Sequence, residues 1–168
     1  MNTIDIIILL IACIPALFGL KNGFLKSIFS LAGILTGFFL ATKYYDKAEV
    51  YLSFLGIDRK ILSVISFTCI LLITYLIFVY FSKKISGLNS FTKTLDKILG
   101  AALGLFKGLI LASLFLLVTT VTFSLFSKQD IEKSKLYSGI VNIAPDTYNL
   151  IMKFFPDAKN FYEEIKKL

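Results

Sequence analysis

A chain of 168 residues that is 57% hydrophobic and only 17% charged, with a mean hydropathy of +0.80, carries too much apolar surface for a water-soluble domain or a disordered polymer. It has no His, no Trp and only two cysteines, which removes imidazole-based catalysis, most zinc sites and any disulfide framework. The net charge of +7 forms no basic face with stacking aromatics, so it reads as membrane topology and attraction to anionic lipid rather than nucleic-acid binding.

A charge at mid-bilayer costs roughly 2.5 to 3.5 kcal/mol, so spanning helices show up as gaps between charges. Four gaps occur: Ile6 to Leu20, Ser27 to Thr42, Ile61 to Ser82 and Gly108 to Ser127. About 20 helical residues cross a 30 Å hydrocarbon core, so the last two gaps span unaided. The first two reach full length if Ile4 and Asp5 sit at one interface and the stems of Lys21 and Lys26 snorkel at the other. Asp5 replaces the lysines of a signal peptide, and no small-x-small cleavage pattern follows Leu20, so the first segment is expected to be a retained span, with Pro15 a possible kink. These gaps predict an all-α integral membrane protein with four transmembrane helices at about 4–20, 25–43, 61–82 and 98–127, forming a domain over 1–127. The connections 21–26, 43–60 and 83–97 leave no room for a soluble domain between spans.

Past Ser127 the composition turns polar, and residues 128–168 are expected to form a short amphipathic helical C-terminal tail. Pro145 suits a first helical turn, with Leu150, Ile151, Phe154 and Phe155 on one face, and a second short helix is expected from Asp157 with Phe161, Ile165 and Leu168 on one side. Such helices lie on a membrane or a partner, or pack over the end of their own bundle. Lysine density favours the 21–26 and 83–97 loops as the cytoplasmic ones, which puts both termini outside the cytoplasm.

Small residues repeat at helical spacing. Gly100, Gly104 and Gly108 make two small-x-x-x-small steps and Gly33 with Gly37 another, a pattern that lets helices approach closely. Gly19, Gly23 and Lys26 share the spacing of Gly100, Gly104 and Lys107, a hint of parallel repeats. Thr94 or Asp96 can cap a helix starting near Lys97; run unbroken to Phe126, it is about 45 Å long, beyond the hydrocarbon core. Asp96 and Lys107 lie on one face about three turns apart, too far to pair, so each is expected to meet another segment. Lys107 is either a snorkelling interfacial lysine or a buried charge serving a transport path.

The stretch Gly19-Leu20-Lys21-Asn22-Gly23-Phe24-Leu25-Lys26-Ser27-Ile28-Phe29-Ser30-Leu31, then Leu95-Asp96-Lys97-Ile98-Leu99-Gly100 with Gly104, Lys107 and Gly108, and Ser134-Lys135-Leu136 after the last span, resemble the colicin V production protein family (CvpA family). The most specific parts are the Gly23-Phe24 pair and the series from Asp96-Lys97 to Lys107-Gly108. Asn22 and Ser27 stand where many relatives carry an arginine and an acid. The resemblance implies a bacterial inner-membrane protein of four spans, associated with production or export of a peptide toxin, a bacteriocin, and with cell-envelope integrity. It marks Asp96, Lys97, Lys107 and Ser134 as candidate functional polar residues and implies no established chemistry. Some relatives carry a similar module ahead of an extracytoplasmic serine protease domain, consistent with the end of the fourth helix lying outside.

No hydrolase, metalloprotease or phosphate-loop motif occurs, and Cys13 and Cys69 lie within spans as small hydrophobes, so no enzyme, cofactor or metal is expected. Most of the hydroxyls of Ser30, Thr36, Ser66, Thr68, Thr74, Ser113, Thr119, Thr120, Thr122 and Ser124 are expected to bond back to their own helices or across to neighbours. Two function classes remain: a membrane scaffold or accessory subunit whose partners are the bilayer and other envelope proteins or a homo-oligomer, and an oligomeric transporter or channel using Lys107 and Asp96.

Overall fold

The first helix, α1 (Thr3–Leu52), is 50 residues long, about 75 Å if straight, and it reverses at Gly23, whose φ of 77° and ψ of 179° lie outside helical space. Only glycine adopts that conformation without strain, so this one residue divides α1 into a first arm, 3–22, and a second arm, 24–52. Pro15 lies inside the first arm without breaking it, so the reversal falls at Gly23 rather than at the proline. A three-residue 3₁₀ turn, Ser53–Leu55, ends α1, with Gly56 at φ 63°; α2 (Arg59–Ile85) and α3 (Lys93–Leu117) follow. The computed structural model describes residues 2–85 and 93–153, and among them every regular element is helical.

The pairing of glycines fixes the directions. Gly19 abuts the backbone of Gly100, Gly104 abuts Pro15 and Ala16, and Gly108 abuts Ala12, so α3 runs antiparallel to the first arm. Ser27 meets Gly100 and Ser30 meets Lys107, so α3 runs parallel to the second arm. Gly33 faces Tyr75 and Phe78, Gly37 faces Leu71 and Thr74, and Glu49 meets Ser63, so α2 runs antiparallel to the second arm. The two arms of α1 therefore form a hairpin that straddles α3, with α2 laid along the second arm. By length and composition three helices, Thr3–Leu55, Arg59–Lys84 and Thr94–Thr120, suffice to cross a membrane. Leu10, Leu17, Ile73, Leu76 and Tyr80 point outward and are exposed, as lipid-facing side chains are. The molecule is a multi-pass membrane protein.

Helix boundaries follow local chemistry. Asn2 caps α1, accepting from the Thr3 N–H at 2.7 Å, while the Asn2 N–H donates to Asp5 at 3.1 Å, a reciprocal capping box. The second arm runs past Lys43 to Leu52, so much of 43–60 is helix rather than loop. Lys43 and Lys47 lie over the rings of Phe39 and Tyr44, and Glu49 accepts from Ser63 at 2.6 Å and pairs with Arg59 at 2.8 Å, so this extension carries its charges on satisfied partners. The last apolar stretch leaves the α-helix early, passing at Val118–Thr122 into a π turn and then Ser124 at φ 48°. Five consecutive β-branched residues, 118–122, disfavour the helix, and Thr119 bonds back to the carbonyls of Phe115 and Leu116.

The tail folds back as α4 (Lys128–Lys133), α5 (Tyr137–Ile140) and α6 (Ile143–Met152). Ser113 of α3 ties it down, donating to the Val141 carbonyl at 2.7 Å and accepting from the Ala144 N–H at 2.9 Å. Tyr148 of α6 packs edge-on to Phe38, which packs edge-on to Phe67, in a core with Ala41, Tyr45, Ile110, Leu114 and Leu117. The described part of the tail thus covers the end of its own bundle. The expected helix from Asp157, and Phe154 and Phe155 of the preceding face, lie outside the described residues.

Candidate functional site

At the opposite end from that aromatic core, the reversal at Gly23 leaves the first N–H groups of the second arm without helical acceptors. Asp96, in the first turn of α3, supplies one: its Oδ1 accepts from the Phe24 N–H at 2.8 Å. The carboxylate lies so close over Gly23 that a Cβ there would meet its Cγ at 2.8 Å. One turn further, Ser27 Oγ donates to the Gly100 carbonyl at 3.2 Å. Gly19, Gly23 and Gly100 thus meet at one joint, which lets backbone pack on backbone. Gly104 lies within an unbroken helix whereas Gly23 is a reversal, so the equal spacing of the two triplets does not make a structural repeat.

Below this joint a cavity of about 370 Å³ opens between the first arm (Pro15, Phe18, Gly19, Asn22) and α2 (Leu71, Leu72, Tyr75, Val79, Ser82, Lys83), with Lys26, Ser27, Ser30 and Ile34 of the second arm and Lys107 and Leu111 of α3 behind. Lys107 is 7% exposed; its Nζ donates to Ser30 Oγ at 3.1 Å and lies 5.8 Å from the centre of the Tyr75 ring. Ser30 in turn donates to the Ser27 carbonyl at 2.9 Å, which leaves it an acceptor for the ammonium. Seven residues separate Ser30 from Gly23, so the charge sits about 10 Å below the reversal. It is held by a hydroxyl and a ring face, and no carboxylate lies among the described residues lining the cavity. A cation in a low-dielectric site without a counter-charge attracts an anion.

The remaining candidates serve packing or other joints. Gly33 would place a Cβ 2.7 Å from Phe78 Cβ, Gly37 one 3.0 Å from the Leu71 carbonyl oxygen, and Gly108 one 2.5 Å from the Ala12 carbonyl oxygen. Lys97 is exposed beside Asp96. Ser134 lies at the far end, donating to Asp5 at 2.6 Å and accepting from the Tyr137 N–H at 3.2 Å. It joins the tail to the start of α1, where Asn2 Nδ2 also donates to the Asp130 carbonyl at 2.5 Å. Ser27 and Tyr75 escaped the sequence reading as site residues; the i, i+3 spacing of Ser27 and Ser30 is the one signal that set them on a common face. Among the described residues no group of three or more His, Cys, Asp or Glu side chains converges as a metal site.

Helices of membrane-crossing length, a glycine-packed hairpin locked by an aspartate from another helix, and a buried lysine facing a cavity define a small polytopic membrane protein with an internal cavity. The family profile for the Colicin V production protein matches residues 4–145, most of the sequence, and the chain belongs to that family. No curated protein and no solved structure matches it.

Proposed function

We propose that the protein is a non-enzymatic accessory or scaffold component of the bacterial inner membrane that supports peptide-toxin production and envelope integrity. In this reading both arms of α1, α2 and α3 each cross the bilayer, giving four spans with both termini and the tail outside the cytoplasm. Lys21, Lys26, Lys83, Lys84 and Lys97 at the Gly23 end then face the cytoplasm, in keeping with the positive-inside rule. The observation that carries the accessory reading is that the cavity is one-sided. It ends at Ile34, Leu71 and Leu111, and beyond them Phe38, Phe67, Leu114 and Leu117 fill the bundle beneath Tyr148. A plugged half suits binding better than conduction.

The transporter or channel reading is favoured by Lys107 at the base of the cavity and needs further copies of the chain to complete a path. The two separate in liposomes reconstituted with the purified protein and loaded with small ions or dyes. The accessory reading expects leakage equal to that of empty liposomes, together with restored toxin secretion and detergent resistance in a deletion strain. Flux above background that disappears in Lys107→Met replaces it with the transport reading. Paired reporters fused after Leu168, one active only in the cytoplasm and one only outside, test the orientation; a cytoplasmic signal reverses it.

A further inference from the structure

We infer that the cavity below Gly23 is a binding site for one anionic amphiphile, a single phosphate monoester or carboxylate headgroup drawn in to Lys107 with its hydrocarbon chain leaving sideways into the bilayer. The headgroup end is set by charge. Lys26, Lys83 and Lys107 line one space, and the buried Lys107 ammonium spends one of its three N–H donors on Ser30 and faces Tyr75 with its charge. The cavity hydroxyls with known partners direct their protons elsewhere, Ser27 to Gly100, Ser30 to the Ser27 carbonyl and Ser82 to the Val79 carbonyl. The buried Lys107 ammonium thus keeps two N–H donors for a ligand, and as the charged donor of the cavity floor it selects an anion over a neutral or zwitterionic head.

The chain end is set by the wall. Phe18 of the first arm and Leu72 of α2, which flank the cavity on either side, are 55% and 49% exposed, so the space is open towards the membrane between those two helices. Phe18 also borders a shallow apolar groove with Ile14 and Leu17 on the outer face of the first arm, a track along which methylenes can lie. A volume of about 370 Å³ holds a headgroup and the start of a chain, not a whole diacyl lipid, so most of the chain must remain in the bilayer. A free inorganic anion uses the lysines and leaves the apolar wall idle; an amphiphile uses both.

The test is native mass spectrometry of the full chain released from phosphatidylcholine nanodiscs and titrated with lysophosphatidic acid. Lysophosphatidylcholine of the same acyl chain and inorganic phosphate run in parallel. The inference expects one lysophosphatidic acid per protein, at least tenfold preference over lysophosphatidylcholine, and no competition by millimolar phosphate. Lys107→Met is expected to weaken binding at least tenfold, Lys107→Arg to retain most of it, and Lys43→Met, at the other end of the bundle, to leave it unchanged. Leu72→Trp, which fills the lateral opening and leaves every lysine in place, is expected to weaken lysophosphatidic acid binding and not bulk membrane association; it carries the test if Lys107→Met does not fold. Equal binding of the two lysolipids, or an unchanged affinity in both Lys107→Met and Leu72→Trp, overturns the inference. Displacement by inorganic phosphate at comparable concentration assigns the site to a soluble anion and overturns the amphiphile. None of these results alters the flux measurement, so the accessory reading stands or falls separately.

Discussion

Replacing Gly23 by alanine tests the joint between α1 and α3 directly. The backbone there has φ 77° and ψ 179°, a region essentially confined to glycine, and holding an L-residue in it costs about 1–3 kcal/mol. The new methyl would also sit 2.8 Å from Asp96 Cγ, displacing the carboxylate and losing its charge-assisted bond to the Phe24 N–H, worth about 1.5–3 kcal/mol. Gly23→Ala is therefore expected to cost roughly 2.5–6 kcal/mol and Asp96→Ala roughly 1.5–3 kcal/mol. The double variant should cost little more than Gly23→Ala alone, because the bond can be lost only once. The sum of the single effects then exceeds the double by about 1.5–3 kcal/mol. Reversible unfolding in mixed micelles, read by circular dichroism, measures all three. Additivity within about 0.5 kcal/mol would refute the coupling, and a Gly23→Ala cost below that figure would refute the strained reversal itself.

Gly104→Ala places a methyl against the Pro15 carbonyl and within 2.9 Å of the Ala16 Cα, so overpacking should cost about 1–3 kcal/mol in the same assay. Gly139→Ala, which meets nothing within 4 Å, should be neutral or slightly stabilising. Equal effects at these two glycines would contradict the close approach of the first arm to α3. The hydroxyl of Ser66 is fully buried with no hydrogen-bond partner among the described residues, so Ser66→Ala should raise stability by about 1 kcal/mol; a loss would mean that the hydroxyl has a partner after all. Ser113→Ala removes both bonds that anchor residues 141 and 144, so limited proteolysis should cut after Ser127 several-fold faster while the melting of the bundle changes little. An unchanged cleavage rate means that Tyr148 and its aromatic contacts hold the tail unaided.

The helices were legible because lipid taxes charge: the first three gaps between charges fall within α1 and α2, and the fourth begins in α3 but outruns its end at Leu117. The reversal was not legible as a single residue. Lys21 and Lys26 suggest a loop of ordinary length, yet a backbone that only glycine adopts turns the chain at once, and no spacing rule distinguishes such a glycine from Gly19. Asp96 was visible as a capping residue for its own helix, but its observed partner is a main-chain N–H on another helix. A backbone donor leaves no signature in side-chain identity. For Lys107 the helix face could be read and the receiving group could not, since Ser30 is one hydroxyl among many within the apolar stretches. The extension of α1 to Leu52 stayed hidden because charged residues end a membrane span without ending a helix.

The lock on the Gly23 reversal also has a place in time. Asp96 lies 72 residues after Phe24, so at about 5–20 residues per second the ribosome needs roughly 4–14 s to deliver the acceptor once the donor has been made. Throughout that interval the hairpin is a nascent chain with its latch missing, and it closes only when α3 arrives. A ribosome that stalls before residue 96 leaves a hairpin whose Phe24 N–H lacks the acceptor of the finished fold.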